Sequence, residues 1–169
     1  YEFDFPVIWA LFQMEKRGME LDDTLLKQMG DELAAEVSEL EQQMYSMAGY
    51  EFNASSPAQL SEVLFTKLQL PTAGIKKGKT GYSTGQKELD KLRGQHPIIE
   101  LIERYRELTK LISTYIEALP KLMATDGRIH TTFNQDVTST GRLSSTNPNL
   151  QNIPVRTELG RKIRQAFVP

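Results

Sequence analysis

Thr24-Leu-Leu-Lys-Gln-Met-Gly-Asp-Glu-Leu-Ala-Ala-Glu-Val-Ser-Glu-Leu-Glu-Gln-Gln-Met-Tyr-Ser-Met-Ala48 is the stretch on which the fold turns. Leu26, Met29, Leu33, Val37, Leu40, Met44 and Met47 recur in it at spacings of 3, 4, 4, 3, 4 and 3. That period lays one narrow apolar stripe along a helix, with Glu32, Glu36 and Glu39 facing away from it. Asp22 or Asp23 starts the helix and Gly49 ends it. At about 1.5 Å per residue the result is a rod of roughly 36 Å. A stripe this narrow suits a second long helix, and Pro97 opens one. Ile98, Leu101, Ile102, Tyr105, Leu108, Ile112, Tyr115, Ile116 and Leu119 share its apolar face. The expected fold is mainly α, a long antiparallel helix pair with small tip helices, followed by the start of an α/β region.

Shorter pieces surround the pair. Val7, Ile8, Leu11 and Met14 fall on one face of a first helix that Gly18 ends. Ser56-Pro57 is a cap with Pro at the first helical position, and Leu60, Val63, Leu64 and Leu68 give its helix a buried face. Ser83-x-x-Gln86 reads as a capping box for another short helix, carrying Leu89 and Leu92. Between these two lies Thr72–Tyr82, with three Gly, three Lys and no acid, which reads as a mobile basic loop. After Pro120 the pattern changes. Asp126-Gly127 signals a turn, Arg128–Phe133 alternates like a strand, Thr157 caps a short basic helix, and Ala166-Phe-Val168 reads as the start of a core strand. A boundary is expected near residue 125, giving a helical domain over 1–125 with a basic tip at 72–85, and an incomplete α/β piece over 126–169.

Composition narrows the function classes. The 169 residues are 39% hydrophobic and 25% charged, enough for a buried core. The absence of Cys removes disulfides and thiolate metal sites, and two histidines, His96 and His130, are too few for most zinc sites. No apolar run is long enough to span a bilayer, so no membrane partner is expected. Net charge is −2, but residues 1–71 hold 13 acidic and 4 basic side chains, net −9, whereas residues 72–169 hold 9 and 16, net +7. Only the second part is expected to face a polyanion. The acids form no catalytic set, and Ser144 and Ser145 have no base at a recognisable spacing. No catalytic residue is expected in these residues, and no bound metal or cofactor.

Binding chemistry concentrates in Thr138-Ser-Thr-Gly-Arg-Leu-Ser-Ser-Thr-Asn-Pro-Asn-Leu-Gln-Asn152, which carries one charge, Arg142, among hydroxyls and carboxamides. Every Watson–Crick pair shows acceptors in the minor groove, so a protein that holds any duplex needs donors there. Arg142, Asn149, Gln151 and Asn152 are such donors, on a loop where Gly141 permits close approach and Pro148 stiffens the turn. A ligand-free Asn/Ser-rich turn has the same composition. Lys76, Lys77 and Lys79 offer a Gly/Lys loop for phosphates. Arg106 and Lys110 lie four apart on one helix, one turn before Ser113 and Thr114, an arrangement that i,i+4 surface pairing explains equally well. Two other classes stay open: a helical hairpin docking on a partner protein through its acidic face, and a phosphate-loop nucleotide binder at Ala73–Thr80. The latter has Ala where the motif needs its first Gly.

Several segments in order resemble DNA polymerase family A, of the bacterial DNA polymerase I type. They are Phe52-Asn53, Tyr105-Arg-Glu-Leu-Thr-Lys110, Ser113-Thr-Tyr115, His130-Thr-Thr-Phe-Asn-Gln135, Thr140-Gly-Arg-Leu-Ser-Ser145, Pro148–Arg156 and Ile163-Arg-Gln-Ala-Phe167. The resemblance implies the thumb subdomain and the first part of the palm of a template-directed, DNA-directed DNA polymerase of replication and repair. It implies that Arg142 meets the minor groove at the primer terminus, with Asn149, Gln151 and Asn152 along the adjacent duplex. It also implies that Arg106, Lys110, Ser113, Thr114, Asn53, Ser55, Ser83 and Thr84 meet the DNA backbone. By the same resemblance the partner is double-stranded primer–template DNA, and the parent is a cytoplasmic, nucleoid-associated monomer using Mg2+ and deoxynucleoside triphosphates. The family's metal-binding carboxylate motifs do not occur in these residues. Asn147 stands where the family commonly has Asp, and Ile112 where a Lys can occur.

Overall fold

Gly18 and Gly49 both adopt left-handed backbone, φ +64° and +82°, and between them they set the limits of the first strand and the long helix. The computed structural model describes residues 4–79 and 81–168. Helix α1 (Asp4–Arg17) leads through β1 (Met19–Leu21) into α2 (Asp23–Ala48). Asp22 caps α2, its carboxylate accepting from Leu25 N at 2.9 Å. α3 (Pro57–Ser61) starts on Ser56, whose hydroxyl accepts from Gln59 N, and passes into a π-helical turn (Glu62–Lys67). Next come β2 (Lys77–Gly78), β3 (Gly81–Tyr82), α4 (Gln86–Leu92) and α5 (Ile98–Leu111), then a π-helical turn (Ile112–Ile116). The rest comprises β4 (Arg128–Ile129), β5 (Thr132–Asn134), β6 (Ser144–Thr146), a 3-10 turn (Leu150–Asn152), α6 (Glu158–Gln165) and β7 (Phe167–Val168). The mainly helical expectation holds.

Contacts divide the chain into two units, Glu32–Leu111 on one hand and Tyr1–Asp31 with Ile112–Pro169 on the other. This differs from a linear boundary near residue 125. The reason is β1, which pairs antiparallel with both β4 (Met19↔Ile129) and β7 (Leu21↔Phe167), so residues 19–21 share a sheet with residues 128–129 and 167–168.

In the Glu32–Leu111 unit, Leu33, Leu40 and Met44 of α2 are buried, as are Ile98, Ile102, Tyr105 and Leu108 of α5. Arg104 Nε donates to Glu36 Oε1 at 2.7 Å and links the two helices. The segment expected as a bare loop is a β2–β3 hairpin, held by Ser83 N donating to Lys76 O at 2.7 Å and by Lys91 Nζ donating to Gly74 O at 2.7 Å. Ser83 does not form the expected capping box. α4 starts one residue after Gly85, and Ser83 Oγ instead accepts from Gly85 N at 3.3 Å.

In the other unit, the expected strand over 128–133 is two strands. β4 pairs with β1, and β5 pairs with β6 in the register Phe133↔Ser145. His130 and Thr131, between the two strands, direct their side chains to Glu15 and Asp126 and to Thr146 and Pro148. β7 forms as a strand but lies half-exposed at one edge of the three-stranded sheet. Of the four apolar residues on one face of α1, only Leu11 is buried; Val7, Ile8 and Met14 are exposed, with Trp9 and Phe12.

Candidate nucleic-acid interface

The Arg142 loop is built by its own polar groups. Thr138 Oγ1 donates to Arg142 O at 2.6 Å, and Gly141, at φ +68°, turns the chain there. Arg142 is exposed, and no carboxylate pairs with it among the described residues. Beyond β6, Asn147 adopts φ +55° before a cis Pro148. Asn is among the few side chains that tolerate this left-handed region. The buried hydroxyl of Thr131 holds that turn, donating toward Pro148 O at 2.7 Å and Thr146 O at 3.0 Å. Buried Ser145 Oγ accepts from Leu150 N at 3.0 Å.

The expected donors divide into two kinds. Asn149 caps the 3-10 turn, its side-chain oxygen accepting from Gln151 N at 3.0 Å. Gln151 Nε2 donates to Leu143 O at 2.9 Å. These two side chains shape the loop. Arg142 and Asn152 are exposed, and the carbonyl of Asn152 accepts from the Tyr115 hydroxyl. Burial raises the Tyr115 pKa and keeps that donor protonated.

Arg142 and Gln151 line a hollow of about 860 Å³ with Arg164 and the apolar Leu143, Leu150, Ile153, Val155, Phe167 and Met19. Arg164 was not among the expected site residues. Its signal lay in α6, where Arg161, Lys162 and Arg164 follow the Thr157 cap, whose hydroxyl accepts from Gly160 N at 3.1 Å.

The basic tip has a second hollow, about 440 Å³, lined by Lys76, Ser83, Gly85 and Arg106 among others. Lys76 and Lys79 are exposed, and Lys77 Nζ lies 5.3 Å from the Tyr82 ring centroid, a cation–π distance. Thr84, expected at the DNA backbone, is buried instead. Arg106 donates to its carbonyl and, at 3.1 Å, to its hydroxyl, because a half-buried guanidinium must find acceptors. Desolvation lowers the Arg106 pKa. Ser83 Oγ also donates to Glu88 at 3.5 Å. Asn53 Oδ1 accepts from Ser55 N at 2.9 Å, and Ser55 Oγ lies 3.0 Å from the Tyr105 hydroxyl, so both side chains brace the entry to α3. Lys110, Ser113 and Thr114 are exposed.

Ala73–Thr80 is not a phosphate loop. Such a loop joins a strand to a helix, whereas this segment follows a helical turn and leads into the hairpin. Thr80 itself lies outside the described residues. No three His, Asp or Glu gather as metal ligands among the described residues. No described helix is long and apolar enough to cross a membrane.

A sequence profile described as DNA polymerase family A matches residues 23–169. The chain belongs to DNA polymerase family A. The DNA polymerase I of Bacillus caldotenax is 54% identical over 170 residues, covering 99% of this chain and 19% of that protein. That of Bacillus subtilis (strain 168) is 52% identical, again over 99% and 19%. The thermostable DNA polymerase I of Thermus filiformis is 52% identical, over 99% and 20%. This family A chain thus spans about a fifth of the curated relatives it matches. Among solved structures, the POL domain of Pol1 from M. smegmatis, in complex with DNA primer-template and dNTP, superposes with a TM-score of 0.84 at 45% identity. The match covers 98% of this chain and 29% of that one.

Proposed function

We propose that this chain is the duplex-holding part of a template-directed DNA polymerase, comprising a thumb and the first part of the palm. The observation that carries this reading is the Arg142 loop, where one exposed cation stands on a turn held by hydrogen bonds of Thr138, Ser145, Asn149 and Gln151. A rigid cation with several donors suits minor-groove acceptors, which every base pair presents. Arg142 contacts the groove at the primer end and Asn152 the adjacent duplex. Asn149 and Gln151 set the loop's shape and reach the duplex only through their remaining N–H groups. Lys76, Lys77, Lys79, Lys110, Ser113 and Thr114 contact the backbone. Ser83, Asn53 and Ser55 contribute less directly, and Thr84 holds Arg106.

The parent uses primer–template DNA and deoxynucleoside triphosphates, with Mg2+ on carboxylates other than those described here. It works as a monomer in the cytoplasm, associated with the nucleoid. Duplex binding by this chain, titrated against salt, tests the reading. Log affinity is expected to fall linearly with log salt, as phosphate contacts require. Duplex affinity that is negligible at every salt concentration contradicts it and favours docking on a protein. The chain alone is expected to extend no primer.

A further inference from the structure

Both ring nitrogens of His130 face acceptors. Nδ1 lies 2.7 Å from the backbone carbonyl of Glu15, in the last turn of α1, and Nε2 lies 3.0 Å from Asp126 Oδ2. A neutral imidazole donates from one nitrogen only, so one of these contacts would set a lone pair against an oxygen. The imidazolium satisfies both, and a helix C-terminus favours the cation.

Glu15 acts twice. Its carbonyl takes His130, and its carboxylate accepts from Phe133 N at 2.6 Å. Phe133 pairs across the ladder with Ser145, whose hydroxyl holds Leu150 N. Thr131, next to His130, holds Pro148. The last turn of α1 is therefore tied to both ends of the segment that carries Arg142.

We propose that the Glu15–His130–Asp126 contact is a proton-dependent brace that positions the Arg142 loop, with Glu15 and His130 as positioning residues. Its bearing on catalysis rests on the function proposed above; the ordering of the loop does not. The groups that act on His130 are the Asp126 carboxylate in the turn, the Glu15 backbone carbonyl on α1, and Arg128 on β4, which opposes protonation and is itself 3.5 Å from Glu20 on β1. Gly18 closes the ring's remaining side, where an added Cβ would stand 2.8 Å from Cε1. The His130 pKa is raised, first by the Glu15 carbonyl and then by Asp126. A raised folded value means the brace is complete below the ordinary histidine pKa of 6.5 and is lost as pH climbs through the folded one.

The test is hydrogen exchange over residues 138–152 against pH, corrected for intrinsic rates, in the full-length polymerase carrying this chain. Protection is expected to step down as His130 deprotonates. Asp126→Asn should move the step to lower pH, and His130→Gln should abolish it. Glu15→Gln keeps a side-chain acceptor for Phe133 N and should retain protection, whereas Glu15→Ala should lose it. A step that persists in His130→Gln, or a loop indifferent to both Glu15 variants, overturns the brace. Single-turnover incorporation separates the two readings. If the loop loosens while incorporation is unchanged, the brace stands and the role given to the loop falls.

Discussion

Thr84 lies buried under the guanidinium of Arg106, which donates to both its carbonyl and its hydroxyl oxygen. Arg106→Ala strands these two acceptors. The expected cost is about 1–3 kcal/mol, the penalty for unsatisfied buried polar groups. Arg106→Lys should recover part of it, since an ammonium cannot reproduce the fork. Urea midpoints of the three chains measure this. Equal midpoints would mean that the guanidinium is only laid against Thr84.

Tyr115 ties the 3-10 turn to the end of the second long helical segment through its bond to Asn152 O. Tyr115→Phe is expected to cost about 0.5–1.5 kcal/mol and to speed exchange at residues 150–152. Because burial raises this phenol's pKa, its contribution is complete below pH 10.0 and disappears as pH rises through the folded value. The stability difference between wild type and Tyr115→Phe should therefore shrink only in strong alkali.

Gly160 has no room for a side chain. A Cβ there would lie 2.3 Å from Pro154 O and 2.7 Å from Pro154 C. Backbone cannot yield as a flexible side chain can. Gly160→Ala is expected to destabilise by about 1–3 kcal/mol despite alanine's higher helix propensity. A rise in the melting temperature would contradict the packing described.

The helices were legible because their information is periodic. The Leu26–Met47 stripe, the Ser56 and Thr157 caps and the glycines at 18 and 49 all fell where local rules place them. Three features were not legible, each for a physical reason. Pairing of β1 with β4 and β7 joins segments too short to carry a pattern. The spending of Asn149 and Gln151 on their own loop depends on side-chain geometry that composition does not encode. Thr84 looks like any surface hydroxyl until Arg106, 22 residues later, closes over it. Arg142, the one charge in a neutral polar run, is exposed.

The lysines of the hairpin give the salt dependence a residue-level form. Lys76 and Lys79 are exposed. Each one that neutralises a phosphate releases a counterion, so Lys76→Ala and Lys79→Ala should each lower the salt slope of duplex binding by about 0.9. Affinity should fall for all sequences alike. An unchanged slope in both variants would remove the hairpin from the DNA surface.

In the proposed function, Arg142 aligns the primer end through minor-groove acceptors. Pre-steady-state incorporation and duplex affinity, measured side by side for Arg142→Ala in the full-length polymerase, test it most directly. Loss of a charge-assisted hydrogen bond costs about 1.5–3 kcal/mol, which is roughly a 10- to 150-fold change. That loss is expected in the incorporation rate, with duplex affinity nearly unchanged, because alignment matters most in the transition state. Weakened duplex binding with an intact incorporation rate would contradict the claim and make Arg142 a phosphate contact.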